Sequence, residues 1–130
     1  MGKSEIRALI ATKQREAQII EHELTKLRRE RDELNRAFEK VKMHNETFGT
    51  TLNDYKGINI ASSHWKGQMN TKSDEHLENL TTAADDVKTK IEEARDNLES
   101  DVRKKEDDIS EAEARLATIN DAITSLKSSL

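Results

Sequence analysis

The sequence predicts an all-α protein, a long antiparallel two-helix hairpin of coiled-coil character that pairs into a four-helix assembly. Three observations predict it. Apolar residues recur at alternating steps of three and four through both halves of the chain, the seam of a coiled coil. The 130 residues contain no Pro and only four Gly, so little interrupts a helix. The only Trp, Trp65, lies with Gly67 near the midpoint, between the two apolar stripes.

The first stripe reads Ile6, Ile10, Lys13, Ala17, Ile20, Leu24, Leu27, Arg31, Leu34, Phe38, Val41, Asn45, Phe48, Leu52 and Tyr55. Its spacing never slips, which predicts a first helix over about 4–56, with Ser4 as a candidate cap. Runs such as Arg28-Arg29-Glu30-Arg31-Asp32-Glu33 mix both signs. They read as solvated helix faces rather than a nucleic-acid patch.

The pattern breaks down after Gly57. Ser63-His64-Trp65-Lys66-Gly67 then supplies a bend, expected over about 57–69. Gly67 tolerates backbone angles that interrupt a helix, and Trp65 offers a large ring to bury beside the break. Trp65 either packs on Tyr55, Ile58, Ile60 or Met69 and pins the bend, or is held out for contact with another chain.

The second stripe reads Leu77, Leu80, Ala84, Val87, Ile91, Ala94, Leu98, Val102, Lys105, Ile109, Ala112, Leu116, Ile119, Ile123, Leu126 and Leu130. It predicts a second helix over about 70–128, capped by Asn70, Thr71 or Ser73, with Asp74 and Glu75 in the first turn. From Ala94 to Leu98 to Val102 the steps are four and four. That slip locally relaxes the left-handed supercoil.

Folding the chain about Lys66 brings the stripes together. Tyr55 faces Leu77, Leu52 faces Leu80, Phe48 faces Ala84, Phe38 faces Ala94, Leu34 faces Leu98 and Ile6 faces Leu126. Arg31 falls opposite Asp101 and Val102, so an ion pair with Asp101 is expected. Residues 1–56 carry 12 basic and 10 acidic side chains and residues 57–130 carry 10 and 16, opposite biases that favour pairing the halves. A two-helix hairpin buries one seam and leaves Ile19, Met43, Met69, Ala83 and Ala114 partly wet. A partner, another copy or a different chain, is therefore expected.

Composition bounds the function. Charged residues make up 37% of the single domain, and mean hydropathy is -0.92, so no large globular core is available. The lack of Cys excludes disulfides, Cys-based zinc sites and thiol catalysis and leaves the redox compartment open. No apolar run reaches the roughly 20 residues that cross a membrane, so no membrane insertion is expected. Met1-Gly2-Lys3-Ser4-Glu5-Ile6 lacks the core of a signal peptide and the Ser or Thr of a myristoylation signal; a cytoplasmic chain is expected.

His22, His44, His64 and His76 have no second ligand at metal spacing. Glu106-Asp107-Asp108 lacks the Gly and spacing of an EF-hand loop. No phosphate-binding loop or nucleophile elbow occurs. Neither an enzyme, nor a metal, nor a cofactor is expected.

Trp65-Lys66-Gly67, a Trp-X-Gly tripeptide between two long helices in a Cys-free chain, resembles the WXG superfamily of helical hairpins of bacterial type VII secretion. With His64 before it and a polar helix start behind, the chain looks most like the accessory helical proteins, or targeting chaperones, that accompany LXG toxins. The resemblance implies Trp65, Gly67 and His64 as the partner-binding motif. It implies binding to the helical N-terminal domain of an LXG toxin, alone or with a second small helical protein, and promotion of its export or co-export. Self-association is a further partner option; nucleic acid is not expected. Exported members of that superfamily often carry an aromatic-X-X-X-acid signal after the second helix. Residues 68–130 hold no Phe, Tyr or Trp, so a partner would have to supply that signal. The alternative is a structural coiled-coil hairpin that mediates protein–protein assembly.

Overall fold

The computed structural model describes residues 2–56 and 68–130, and the side chains of 2–54 and 74–130. The chain is an all-helical hairpin of two helices packed against each other: α1 spans Lys3–Lys56 and α2 spans Gln68–Ser128. The described residues include no strand. Residues 57–67 of the expected bend, with Trp65, Gly67 and His64, lie outside the described residues, while Gln68 and Met69 already belong to α2.

The helix starts correct two capping expectations. α1 begins before Ser4, and Gly2 occupies the cap: the Ile6 amide donates to the Gly2 carbonyl at 3.0 Å, and the Gly2 amide donates to Glu5 Oε2 at 3.3 Å. Glu5 thus supplies the returning half of a capping box and places an acid in the first turn. Asn70, Thr71 and Ser73 lie inside α2, since the helix starts at Gln68. At its other end the amides of Ser129 and Leu130 bond three residues back, to Leu126 and Lys127. These bonds tighten the last turn, and Lys127 complements the helix dipole there. Exposed Thr12, Thr25, Thr50 and Thr118 return their hydroxyls to the carbonyl four residues back, so β-branched polar residues are accommodated on the helix surface.

The packing divides into two compact units. Unit 1 comprises Met1–Asn35 and Ser100–Leu130, and unit 2 comprises Arg36–Glu99. On α2 the division falls between Leu98 and Val102, where the heptad spacing slips.

Unit 1 holds two core clusters. Ile20, Leu24, Ile109 and Ala112 form one, with Leu27, Leu116 and Ile119 against it. Ile6, Ile10 and Ile123 form the other, with Ile119 and Leu126 against it. Ile6 beside Leu126 is the expected register. Large Ile20 and Leu24 share a cluster with small Ala112, which lets the two backbones approach. Ala17 and Val102 complete the buried set of this unit.

In unit 2 only Leu52 and Asn45 are buried among the described side chains. Phe48, Thr51, Leu52, Leu80 and Ala84 line a groove of about 310 Å³, so Phe48 with Ala84, and Leu52 with Leu80, meet at the expected levels. Three seam assignments are corrected here, since Leu80, Val87 and Ala94 are exposed. Leu80 is 57% exposed and Val87 47% exposed. The small Ala84 between them builds too low a wall to enclose its neighbours on a two-helix surface.

Candidate partner-binding surface

The seam residues differ in how far they are covered. Ile20, Leu24, Leu52, Ile109 and Ile123 are buried; Leu34, Phe38, Phe48, Ile91, Leu98 and Leu116 are half-buried; Leu80 is exposed. A coiled-coil pair covers a and d positions from one side only, so this gradation follows from having two helices and no second layer.

Four polar residues occupy the seam, and three of them escape it. Lys13 reaches Glu16 at 3.3 Å, one turn along α1. Arg31 bonds Asp32 at 3.1 Å. This corrects the expected Arg31–Asp101 pair: Asp101 is exposed, and Val102 fills the seam beside it. A long guanidinium reaches a carboxylate on its own helix without crossing the interface. Lys105 leaves the seam of α2 to bond Glu30 of α1. Sequence spacing placed Lys105 in the seam but did not single out Glu30, which lies one residue before Arg31 on the flank.

Asn45 is the fourth. Its side chain is too short to reach past the seam, and its Oδ1 is buried without a hydrogen-bond partner. Such an acceptor is costly to leave unpaired.

In unit 1, Glu30–Lys105 is joined across the helices by Arg28–Glu113 at 3.1 Å and Arg115–Glu23 at 3.4 Å. The last two pairs are about half exposed, so each stabilises by at most about 1 kcal/mol. Together they favour one alignment of α1 on α2. Arg28 and Arg31 are each engaged by a carboxylate, Glu113 across the helices and Asp32 alongside.

The Glu30–Lys105 hydrogen bond holds the Glu30 carboxyl below its usual range, with the nearby charges of Lys105, Lys26 and Arg29 adding to it. The same bond raises Lys105 above the usual lysine value. For Glu30, the lowered value means that its contribution is present above the unfolded carboxylate range and lost as pH falls through the folded value. For Lys105, the contribution is present below the unfolded lysine value and lost as pH rises through the folded one. The pair is therefore fully formed between about pH 5 and 10. We expect Glu30→Gln to flatten part of the fall in melting temperature below about pH 4.5, while a Glu16→Gln control retains it. Equal acid profiles for the two variants would show that the pair contributes nothing.

Large apolar side chains remain outside the seam. Ile19 is 67% exposed and Met43 56%. In unit 1, Ile19, Ile20, Thr118 and Ile119, with Glu16 and Arg115 at the edge, line an open groove of about 460 Å³. His22, His44 and His76 are exposed. Among the described residues, no group of three His, Cys, Asp or Glu is placed to hold a metal ion. Also among them, no helix is long and apolar enough to cross a membrane.

No protein-family model matches the chain, and no curated protein and no solved structure matches it either.

Proposed function

We propose that this chain is a small helical adaptor. It binds the helical N-terminal domain of an LXG-type toxin of type VII secretion, alone or with a second small helical protein, in the cytoplasm before export. The observation that carries this reading is the open apolar groove of unit 1, where Ile19 stays 67% exposed beside Ile20 and Ile119. Helices that lay an apolar stripe over these residues would complete a four-helix arrangement. The Trp-X-Gly tripeptide between the helices supports the toxin as the partner class. The role requires shape and apolar area rather than chemistry, so the chain acts without a cofactor or metal and is not an enzyme.

The test is co-expression of the full chain with the helical N-terminal domain of an LXG toxin, followed by co-purification and an export assay. With wild-type chain, a stoichiometric complex is expected. Trp65→Ala is expected to change the melting temperature by little and to reduce both complex formation and export at least tenfold, as loss of an aromatic contact residue does. A drop in melting temperature that accounts for the lost binding would make Trp65 a pin of the bend. Absence of any complex with the wild-type chain would leave a structural coiled-coil hairpin.

A further inference from the structure

The two units are built unequally. Among the described side chains, every buried apolar residue except Leu52 belongs to unit 1. There two core clusters and three ion pairs join α1 to α2. In unit 2 the seam positions Leu80, Val87 and Ala94 are exposed, and Val41, Phe48 and Ile91 are covered only in part. The α1 segment of unit 2 also carries two residues that weaken the closed pairing. Asn45 is buried in the seam with its Oδ1 unpartnered, so closing removes that oxygen from water and gives nothing back. Gly49 stands in mid-helix, where glycine loses the most conformational freedom on folding. On α2 the limit of unit 2 coincides with the slip from Ala94 to Leu98 to Val102. A break in the repeat interrupts the regular run of knobs and holes along a seam.

We propose that the hairpin opens by halves: α1 and α2 part within unit 2 while unit 1 stays closed. Local opening selects regions with few buried apolar contacts, and here the opened state also returns Asn45 Oδ1 to water. Parting exposes Phe48 and Leu52. The clusters and ion pairs of unit 1 meanwhile keep the two helices aligned, so the arms of unit 2 close again in register. This opening belongs to the hairpin itself, whatever partner it binds.

The test is labelling of the full chain under native conditions, which the absence of Cys makes site-specific. Leu52→Cys places one thiol in the buried seam of unit 2, and Leu24→Cys places one in that of unit 1. With excess iodoacetamide, labelling tracks the fraction of time each seam is open. Leu52→Cys is expected to react at least tenfold faster than Leu24→Cys. Adding Asn45→Leu to Leu52→Cys should slow labelling at least fivefold, because the closed state no longer holds an unpaired acceptor. Added to Leu24→Cys, it should leave the rate unchanged. Gly49→Ala is the second variant. A Cβ at Gly49 meets Lys88 Cε and Nζ at 3.6 Å, an ordinary contact, so the closed pairing accepts it. It should slow labelling of Leu52→Cys about threefold and leave Leu24→Cys as it was. Each Cys substitution lowers stability by itself, so amide exchange of the wild-type chain is measured alongside. Parted helices of this length lose the packing that supports them, and exchange is expected to be faster over 41–52 and 80–94 than over 17–27 and 105–119. Equal labelling rates overturn the proposal, as does equal amide protection in the two units. Equal slowing of both thiols by Asn45→Leu also overturns it, because the hairpin then opens as one.

Discussion

Leu24→Ala is expected to destabilise the hairpin by about 3 kcal/mol, within the 2–5 kcal/mol that buried Leu-to-Ala changes cost. Leu24 is 2% exposed and sits in one cluster with Ile20, Ile109 and Ala112. Truncation loses its transfer free energy and leaves a gap between two backbones that Ala112 already holds close. The better helix propensity of Ala returns only a few tenths of a kcal/mol. Against a typical stability of about 5–15 kcal/mol, this is a large fraction. Urea unfolding followed by circular dichroism at 222 nm should show the midpoint fall. Amide exchange should show the loss concentrated in unit 1, whose packing includes Leu24. The contrasting variant is Ile19→Ala: Ile19 is 67% exposed, and its loss should stay within about 0.5 kcal/mol. Equal effects from the two would mean that the seam does not separate core from flank as described.

The contrast between these two neighbours was legible in the sequence, because heptad spacing puts Leu24 in the seam and Ile19 outside it. Period alone sufficed there: a coiled-coil pair selects the a and d positions whatever else the chain does. The levels at which Phe48 meets Ala84 and Ile6 meets Leu126 followed from folding one stripe onto the other. Other features depended on competition that spacing does not express. Ser4 and Asn70 have the chemistry of caps, but helices of this length extend past them, and Gly2 with Glu5 closes the first turn instead. Arg31 was assigned a partner across the interface, yet Asp32 is its neighbour and a flexible side chain takes the nearer carboxylate. The exposure of Leu80 and Val87 was hidden for another reason. Seam membership says which way a residue faces, whereas coverage depends on the bulk of what stands beside it, and Ala84 has little. Of the candidate site, the apolar flanking residues Ile19 and Met43 were anticipated. The Trp-X-Gly motif lies outside the described residues.

Asn45→Leu is expected to raise stability by about 1–3 kcal/mol, the usual cost of a buried polar group without a partner. Lys13, Arg31 and Lys105 occupy seam positions too, and each reaches a carboxylate. Asn45 cannot: it is 7% exposed, and its Oδ1 finds no donor. Leu has nearly the same branching at Cγ and fills the same space with no acceptor to satisfy, so the isolated hairpin should unfold at higher temperature. The corresponding loss is selectivity. A single polar residue at a seam position restricts how helices align and how many assemble, since misaligned pairings bury it against apolar side chains. The stabilised variant should therefore show additional oligomeric species by light scattering where the wild type shows one. Asn45→Asp separates volume from polarity. It keeps the shape, adds a charge that burial penalises, and should lower the melting temperature at neutral pH and recover part of it as the carboxyl protonates in acid. A destabilised Asn45→Leu variant would mean instead that a donor reaches Oδ1 in the folded protein. Asn45 would then contribute directly to stability, and its role in limiting alignment would lose its physical basis.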